Sequence, residues 1–328
     1  MMKKNIKINL DKILLFLCLS ILFFCFAIKI TNYFSYKKST SGGWKKISSE
    51  PVLGSEKTGV LFDPHVILEN DIFKMYVSSR ENGCISYCES YNGYNWTNPQ
   101  IILSNVNGTW ENIINRASVL KVNNKYYMYY TGQNEKFSKI GMAESIDGIN
   151  WKKYENNPII IPEMNNEGTN VMNPFVLYDE EEEIFKMWYA AGEQFEPDVI
   201  NYATSKDGVN WEKYENNPIL QKSDYGFDSY KVGGCCVLKK NNKYIMYYIG
   251  YTSLLKAQIL WAESEDGINW TKYNSEPIVQ GSKGTFDQDS VYKPSVVFDE
   301  KTNKNYLYYN GRRGADEYIG LAIQEGIK

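Results

Sequence analysis

The 328-residue chain predicts an all-β fold, a five-bladed β-propeller of four-stranded antiparallel blades behind an N-terminal transmembrane helix. Three observations carry that expectation. A turn motif recurs as "SYNGYNW" (90–96), "SIDGINW" (145–151), "SKDGVNW" (205–211) and "SEDGINW" (264–270). Its tryptophans stand 55, 60 and 59 residues apart, a period that suits propeller blades. A tyrosine-rich strand recurs five times: "IFKMYVSS" (72–79), "KYYMYYTG" (125–132), "IFKMWYAAG" (184–192), "KYIMYYIG" (243–250) and "NYLYYNG" (305–311). The 27 Tyr, 14 Phe and 8 Trp point the same way, because aromatic side chains suit a pleated, half-buried surface.

The first element is the apolar run Ile13–Ile28, 16 uncharged residues between Lys12 and Lys29. A spanning helix needs about 20 residues. Lysines at both ends can snorkel, however, and Ile30 lengthens the run. The flank "FAIKITNYF" carries no small-residue cleavage site. An uncleaved signal anchor over 1–30 is therefore expected, then a linker over 31–43 and the propeller over 44–328. Lysines on both flanks orient the anchor only weakly. The propeller is expected outside the cytoplasm, at the cell surface or in the periplasm. Cys18 and Cys25 belong to the anchor, while Cys84, Cys88, Cys235 and Cys236 read as buried free thiols. Cys84 and Cys88, roughly 13 Å apart along one strand, are too distant to bridge each other.

Each repeat then follows one order. A short apolar strand comes first ("DPHVIL", "RASVLKV", "NPFVLYD", "GCCVLKK", "KPSVVFD"), followed by the tyrosine strand. A third strand comes next ("ISYCES", "IGMAES", "INYATS", "ILWAES", "IGLAIQ"), then the turn and a fourth strand opened by Trp. Asp-Gly and Asn-Gly are tight-turn signals, so D-G-x-N-W reads as scaffold, its Trp packing between blades. The similar Asp-box of sialidases has one residue more between Asp and Trp. The last repeat stops at "IGLAIQEGIK" without a turn motif or a fourth strand. The stretch "WKKISSEPVL" (44–53) shows the opposite defect, a fourth-strand pattern without its first three strands. The expectation is that 44–53 completes the fifth blade and leaves no open edge.

Composition narrows the chemistry. A net charge of −3 with no basic patch argues against a nucleic-acid partner. His65 is the only histidine, which excludes a His-rich metal site and leaves one possible triad base. Of 36 Lys and Arg only Arg80, Arg116, Arg312 and Arg313 are arginines. Where lysine is the default cation, each planar guanidinium fork is worth locating.

Propellers bind ligands at the central mouth. Aligning the inner strands puts one non-repeating residue per blade at their start: Asp63, Arg116, Asn173, Gly234 and Lys293. The ends of the second strands supply Arg80, Gln133, Gly192 or Glu193, Tyr251 and Arg312. Because these strands are antiparallel neighbours, both sets are expected at one mouth. Arg80, Arg116, Lys293 and Arg312 suit a ligand carboxylate, sulfate or phosphate, or else pair with Asp63 and Glu193 in a polar channel. Tyr251 adds an aromatic ring at the same mouth. His65 reads as a deeper wall residue, with a ligand contact or an acid as the alternative.

The five blades, an inner strand opening "FDPHVI" and turns of the form A-x-S-x-D-G-x-N-W resemble the five-bladed glycosidase superfamily over residues 44–328. That superfamily holds glycoside hydrolase families 43 and 32 and, more distantly, the family 130 phosphorylases. The resemblance implies that Asp63 is base or nucleophile. It also implies an Asp from the second blade and a general-acid Glu from the third, but Arg116 and Asn173 stand there. The acid is then expected from Glu193 or from Glu111, Asp228 or Asp287. The last three share a "GTWE", "GFD", "GTFD" context that also reads as a repeated structural role. Glu193 and Asp228 join Asp63 as catalytic candidates.

The implied activity is hydrolysis of an acidic or modified polysaccharide. The alternatives are a non-catalytic glycan-binding propeller and a phosphorylase, for which one protein acid suffices. The expected partners are an oligo- or polysaccharide and the membrane. No cofactor or metal is expected; some relatives carry a central Ca²⁺, whose ligands can be water and backbone.

Overall fold

The computed structural model describes residues 10–54, 58–194 and 197–326. A helix, Leu10–Lys37, precedes five antiparallel sheets. Within it, Leu14–Lys37 is long and apolar enough to cross a membrane and buries nothing against the propeller over its apolar window. The inner strands of the five blades are Leu61–Glu69, Ile113–Val122, Val171–Asp179, Lys231–Lys240 and Ser290–Asp299. The tyrosine strands beside them are Ile72–Ser79, Lys125–Gln133, Ile184–Ala191, Lys243–Ser253 and Lys304–Arg313. The third strands are Cys84–Ser90, Ser138–Ser145, Val199–Ser205, Lys256–Ser264 and Asp316–Glu325. Fourth strands are short: Gln100–Leu103, Lys152–Lys153, Glu212–Lys213 and Thr271–Tyr273. In the fifth blade Lys45–Lys46 pairs with the third strand, Lys45 opposite Ile323 and Lys46 opposite Ala322, and Leu53 bridges Ile319.

The aromatic pattern explains how blades adhere. Tyr76, Tyr129, Trp188 and Tyr308 occupy one position on the first, second, third and fifth tyrosine strands and are fully buried. Burial of a polar ring demands a partner for its O–H or N–H. Each donates to the glycine carbonyl of a neighbouring blade's turn: Tyr76 to Gly148 (3.1 Å), Tyr129 to Gly208 (2.9 Å), Trp188 to Gly267 (2.8 Å) and Tyr308 to Gly93 (3.0 Å). The turn tryptophans lie edge-on against these rings, Trp151 on Tyr76, Trp211 on Tyr129 and Trp96 on Tyr308. Trp44 does the same to Tyr247.

The turn's own residues have matching jobs. In 145–150 the Ser145 hydroxyl accepts the Gly148 N–H (2.9 Å), and Asp147 accepts N–H groups from Ile149 (2.9 Å) and Asn150 (2.8 Å). The same bonds recur at 205–210 and 264–269. Gly208 has φ +76°, and a Cβ there would sit 2.6 Å from the Tyr129 hydroxyl, so glycine is required twice over.

A second device recurs in four blades. A buried carboxylate on the loop entering the inner strand accepts a tyrosine hydroxyl and a lysine ammonium. The sets are Glu111 with Tyr130 and Lys153 (both 2.8 Å) and Glu167 with Tyr189 and Lys213 (both 2.8 Å). Asp228 holds Tyr248 (3.0 Å) and Lys272 (2.8 Å), and Asp287 holds Tyr309 (2.9 Å) and Lys46 (2.7 Å). Each set staples the entry loop to the second and fourth strands. The first blade has Val77 where the others have the tyrosine. All six cysteines are free, and the four in the propeller are buried.

Candidate active site

The ring of non-repeating residues rests on a backbone device. Every inner strand slips register against its neighbour at the same point: between Phe62 and His65, Asn115 and Ser118, Met172 and Phe175, Val232 and Cys235, and Tyr292 and Ser295. A bulge bends a strand and re-aims one side chain. Asp63, Arg116, Asn173 and Lys293 stand at these bulges with φ of +53°, +57°, +52° and +51°. For non-glycine residues that conformation costs on the order of 1 kcal/mol each, so the surroundings must hold it. Ser78 accepts the Arg116 N–H (3.0 Å), and Thr131 accepts that of Asn173 (3.0 Å), each from the preceding blade's second strand. At the fourth blade Gly234 supplies room instead: a Cβ there would lie 2.7 Å from the Asn173 Cβ.

A cavity of about 320 Å³ opens over this ring. It brings together Asp63, Arg80, Arg116, Asn173, Tyr251 and Arg312. Lys293 is buried on the same ring, close enough for its charge to act on Asp63. Three expected residues are not brought to this cavity. Glu193 lines a neighbouring cleft of about 920 Å³, exposed and paired with Lys231 (2.5 Å). Asp228 is wholly buried in the fourth blade's staple, so its carboxylate is already committed to Lys272 and Tyr248. His65 lies in the wall, beside Phe175 with Nε2 2.8 Å from the Val119 carbonyl, and burial drives its pKa down to about 4. The His65 ring is buried and does not line the cavity.

One acidic lining residue escaped the sequence reading. Glu317, on the third strand of the fifth blade, faces the cavity with its side chain almost wholly buried. It accepts from the Arg80 guanidinium and from the Tyr292 hydroxyl. A signal for it exists. Glu317 pairs across from Arg312, and the matching positions beside Gln133 and Tyr251 are Ser138 and Ala257, both uncharged.

The two carboxyl groups meet different surroundings. Asp63 is pushed above the usual carboxylate range, first by burial. Arg116, Lys293 and Arg80 oppose that shift, and the Glu317 charge adds to it. The nearest cation, Arg116 Nε, stands 3.6 Å from Asp63 Oδ2, which has no hydrogen-bond partner in the protein. Asn173 Oδ1 is likewise an unpartnered buried acceptor. Acceptors held open on a polar cavity suit hydroxyl donors. Glu317, by contrast, has both carboxyl oxygens engaged, one by Arg80 and the other by Tyr292. Arg80 keeps about half its side chain exposed and lies over the Phe62 ring. Arg312 donates to the Leu255 carbonyl (3.0 Å) and to the Ser290 hydroxyl (3.4 Å).

Two family models match the chain. The N-terminal domain of glycosyl hydrolases family 32 matches residues 86–225, and glycoside hydrolase family 130, described as beta-1,4-mannooligosaccharide phosphorylase, matches residues 160–326. Among sequence relatives, an uncharacterized Mycobacterium tuberculosis protein is 26% identical over 278 residues, 79% of this chain and 90% of that protein. The 1,2-beta-oligomannan phosphorylase of Thermoanaerobacter sp. is 24% identical over 307 residues, 86% of this chain and 97% of that enzyme. Solved structures share the fold. A glycoside hydrolase superposes with a TM-score of 0.69 at 19% identity, covering 90% of this chain and 95% of that one. A member of the family of mannoside phosphorylases containing hydrolases that target beta-1,2 mannosidic linkages in Candida mannan superposes at 0.67, with 18% identity and coverage of 86% and 93%.

Proposed function

This chain belongs to glycoside hydrolase family 130, whose model matches 167 of its 328 residues, and from that premise we propose that its mouth binds a glycan and hydrolyses a glycosidic bond. One observation carries the reading: Asp63 and Glu317 line a single cavity, Asp63 with a buried, unpartnered carboxylate oxygen and a pKa raised first by burial, Glu317 paired with Arg80 and Tyr292. Two carboxyl groups in such unlike surroundings suit the roles of acid and base. Asp63 delivers its proton to the leaving glycosidic oxygen. Glu317 takes a proton from the water that attacks the anomeric carbon. The arginines hold an acidic substituent of the glycan, and Tyr251 offers a ring face to a sugar. The names of the relatives make β-mannosides the first substrates to try. The N-terminal helix serves as an uncleaved anchor, with the propeller outside the cytoplasm.

Phosphorolysis is the second reading, favoured by Arg80, Arg116 and Arg312 on one cavity. Phosphate in their grip then replaces water as the nucleophile, and Asp63 alone suffices as protein acid. The test incubates the full chain with β-1,2- and β-1,4-linked mannooligosaccharides, with and without phosphate. Free mannose marks hydrolysis and mannose phosphate marks phosphorolysis. Asp63→Asn is expected to cut either rate by about 100-fold or more, the usual worth of a general acid. Turnover that survives this change removes Asp63 from the chemistry. Binding without turnover in either buffer leaves a glycan-binding propeller.

A further inference from the structure

The helix and the propeller are joined without slack. The Ser35 hydroxyl accepts the Lys283 N–H (2.8 Å), Gln280 donates to the Lys38 carbonyl (3.2 Å), and Tyr36 donates to the Lys46 carbonyl (3.0 Å). Asn32 lies so close to Gly284 that a Cβ there would meet its Nδ2 at 2.3 Å. The loop they grip leads directly into Ser290, the first residue of the fifth inner strand, on the mouth side of the ring.

Beside that strand stands an unusual hairpin tip. Ser253 pairs with Lys256, which leaves Leu254–Leu255 as a two-residue loop three residues beyond Tyr251 of the mouth. Such tips favour Gly, Asn or Asp, and the corresponding tip of the fifth blade is Gly314–Ala315. Leu254 and Leu255 are 50% and 68% exposed. The tip is nonetheless fixed, because the Leu255 carbonyl accepts from both Ser290 (2.8 Å) and Arg312 (3.0 Å). Exposed cations adjoin the tip and the fifth blade's turn in the chain, Lys256 and Arg313, and others stand at the helix end and the loop it grips, Lys37, Lys38 and Lys283; Glu193 and Asp198 line the cleft that the tip borders. Tyr33 and Phe34 are exposed on the helix's last turns. Apolar tips flanked by cations and aromatics suit the interface of an anionic bilayer.

We propose that the Leu254–Leu255 tip inserts into the bilayer that the helix crosses, so that the mouth opens along the membrane surface and takes glycans carried there. The inference rests on the helix being an anchor, as argued above. The test uses the full chain, with Cys18 and Cys25 changed to Ser, in nanodiscs of phosphatidylethanolamine and phosphatidylglycerol. A nitroxide is placed singly at Leu255→Cys, at Leu22→Cys in the helix, and at Ile146→Cys, an exposed turn residue at the opposite end of the blades. Collision with oxygen is compared with collision with a water-soluble nickel chelate. The Leu255 label is expected to behave like the Leu22 label, rich in oxygen contact and several-fold poorer in nickel contact than the Ile146 label. A Leu255 label as wet as Ile146, with Leu22 in lipid, overturns the proposal while sparing the anchor. A wet Leu22 label overturns both.

Discussion

The two ends of each blade repeat in different ways, and comparing them shows where side-chain variety is kept. At the turn end, four copies of one motif do one job with one set of side chains: a serine, an Asp or Asn, a positive-φ glycine and a tryptophan. At the mouth end, the backbone repeats just as faithfully, with a bulge at the same register in all five inner strands. The side chains placed there are instead all different. A rigid, repeated main chain lets five unlike groups converge on one axis without changing the scaffold that aims them.

Breaking the scaffold should cost most. Lys46 is buried against Asp287 at 2.7 Å. Lys46→Met leaves that carboxylate buried without its cation, and a loss of about 3–5 kcal/mol is expected in chemical denaturation. A cost no larger than that of a surface substitution means that Lys45–Lys46 is not an integral fourth strand.

The mouth is more tolerant globally and less so locally. Gly234→Ala pushes a methyl group into Asn173, and overpacking of this kind costs about 1–3 kcal/mol. Its larger effect is expected on the ring, seen as loss of glycan binding by calorimetry at temperatures where the fold persists. Unchanged affinity would mean that Asn173 has no part in binding.

A single turn carries less. Asp207→Ala removes N–H acceptors for Val209 and Asn210, and a stability loss of about 1 kcal/mol is expected in the same denaturation assay. Repetition shares the burden among equivalent turns.

Acid acts on the scaffold through groups whose pKa the fold shifts. His65 titrates near 4 in the fold against an ordinary 6.5, so the unfolded chain binds its proton first. Stability should be full above 6.5 and fall as the pH drops towards 4. At Asp207 and Asp266, burial raises the carboxyl but backbone and side-chain hydrogen bonds outweigh it, bringing both from 3.8 to about 2. Their contribution is present above 3.8 and disappears as the pH falls through about 2. Urea midpoints across this range should decline in two stages, and His65→Asn should abolish only the upper one.

The blade count, the strand order, the turn chemistry and the five ring positions were legible in the amino-acid sequence because each is a short-range pattern repeated along the chain. Periodicity survives without knowledge of contacts. Other features depend on what surrounds a residue in space. Asp228 and Glu193 were plausible acids by chemical type, yet one is stapled into a blade and the other faces a neighbouring cleft. Glu317 stands 254 residues from Asp63 and meets it only because the first and fifth blades are neighbours in the ring. Local pattern thus determined the scaffold and the places at its mouth. Tertiary structure alone decided which carboxyls share the cavity and which way burial and neighbouring charges push Asp63, because desolvation and Coulomb interaction are set by neighbours in space and not by neighbours in the chain.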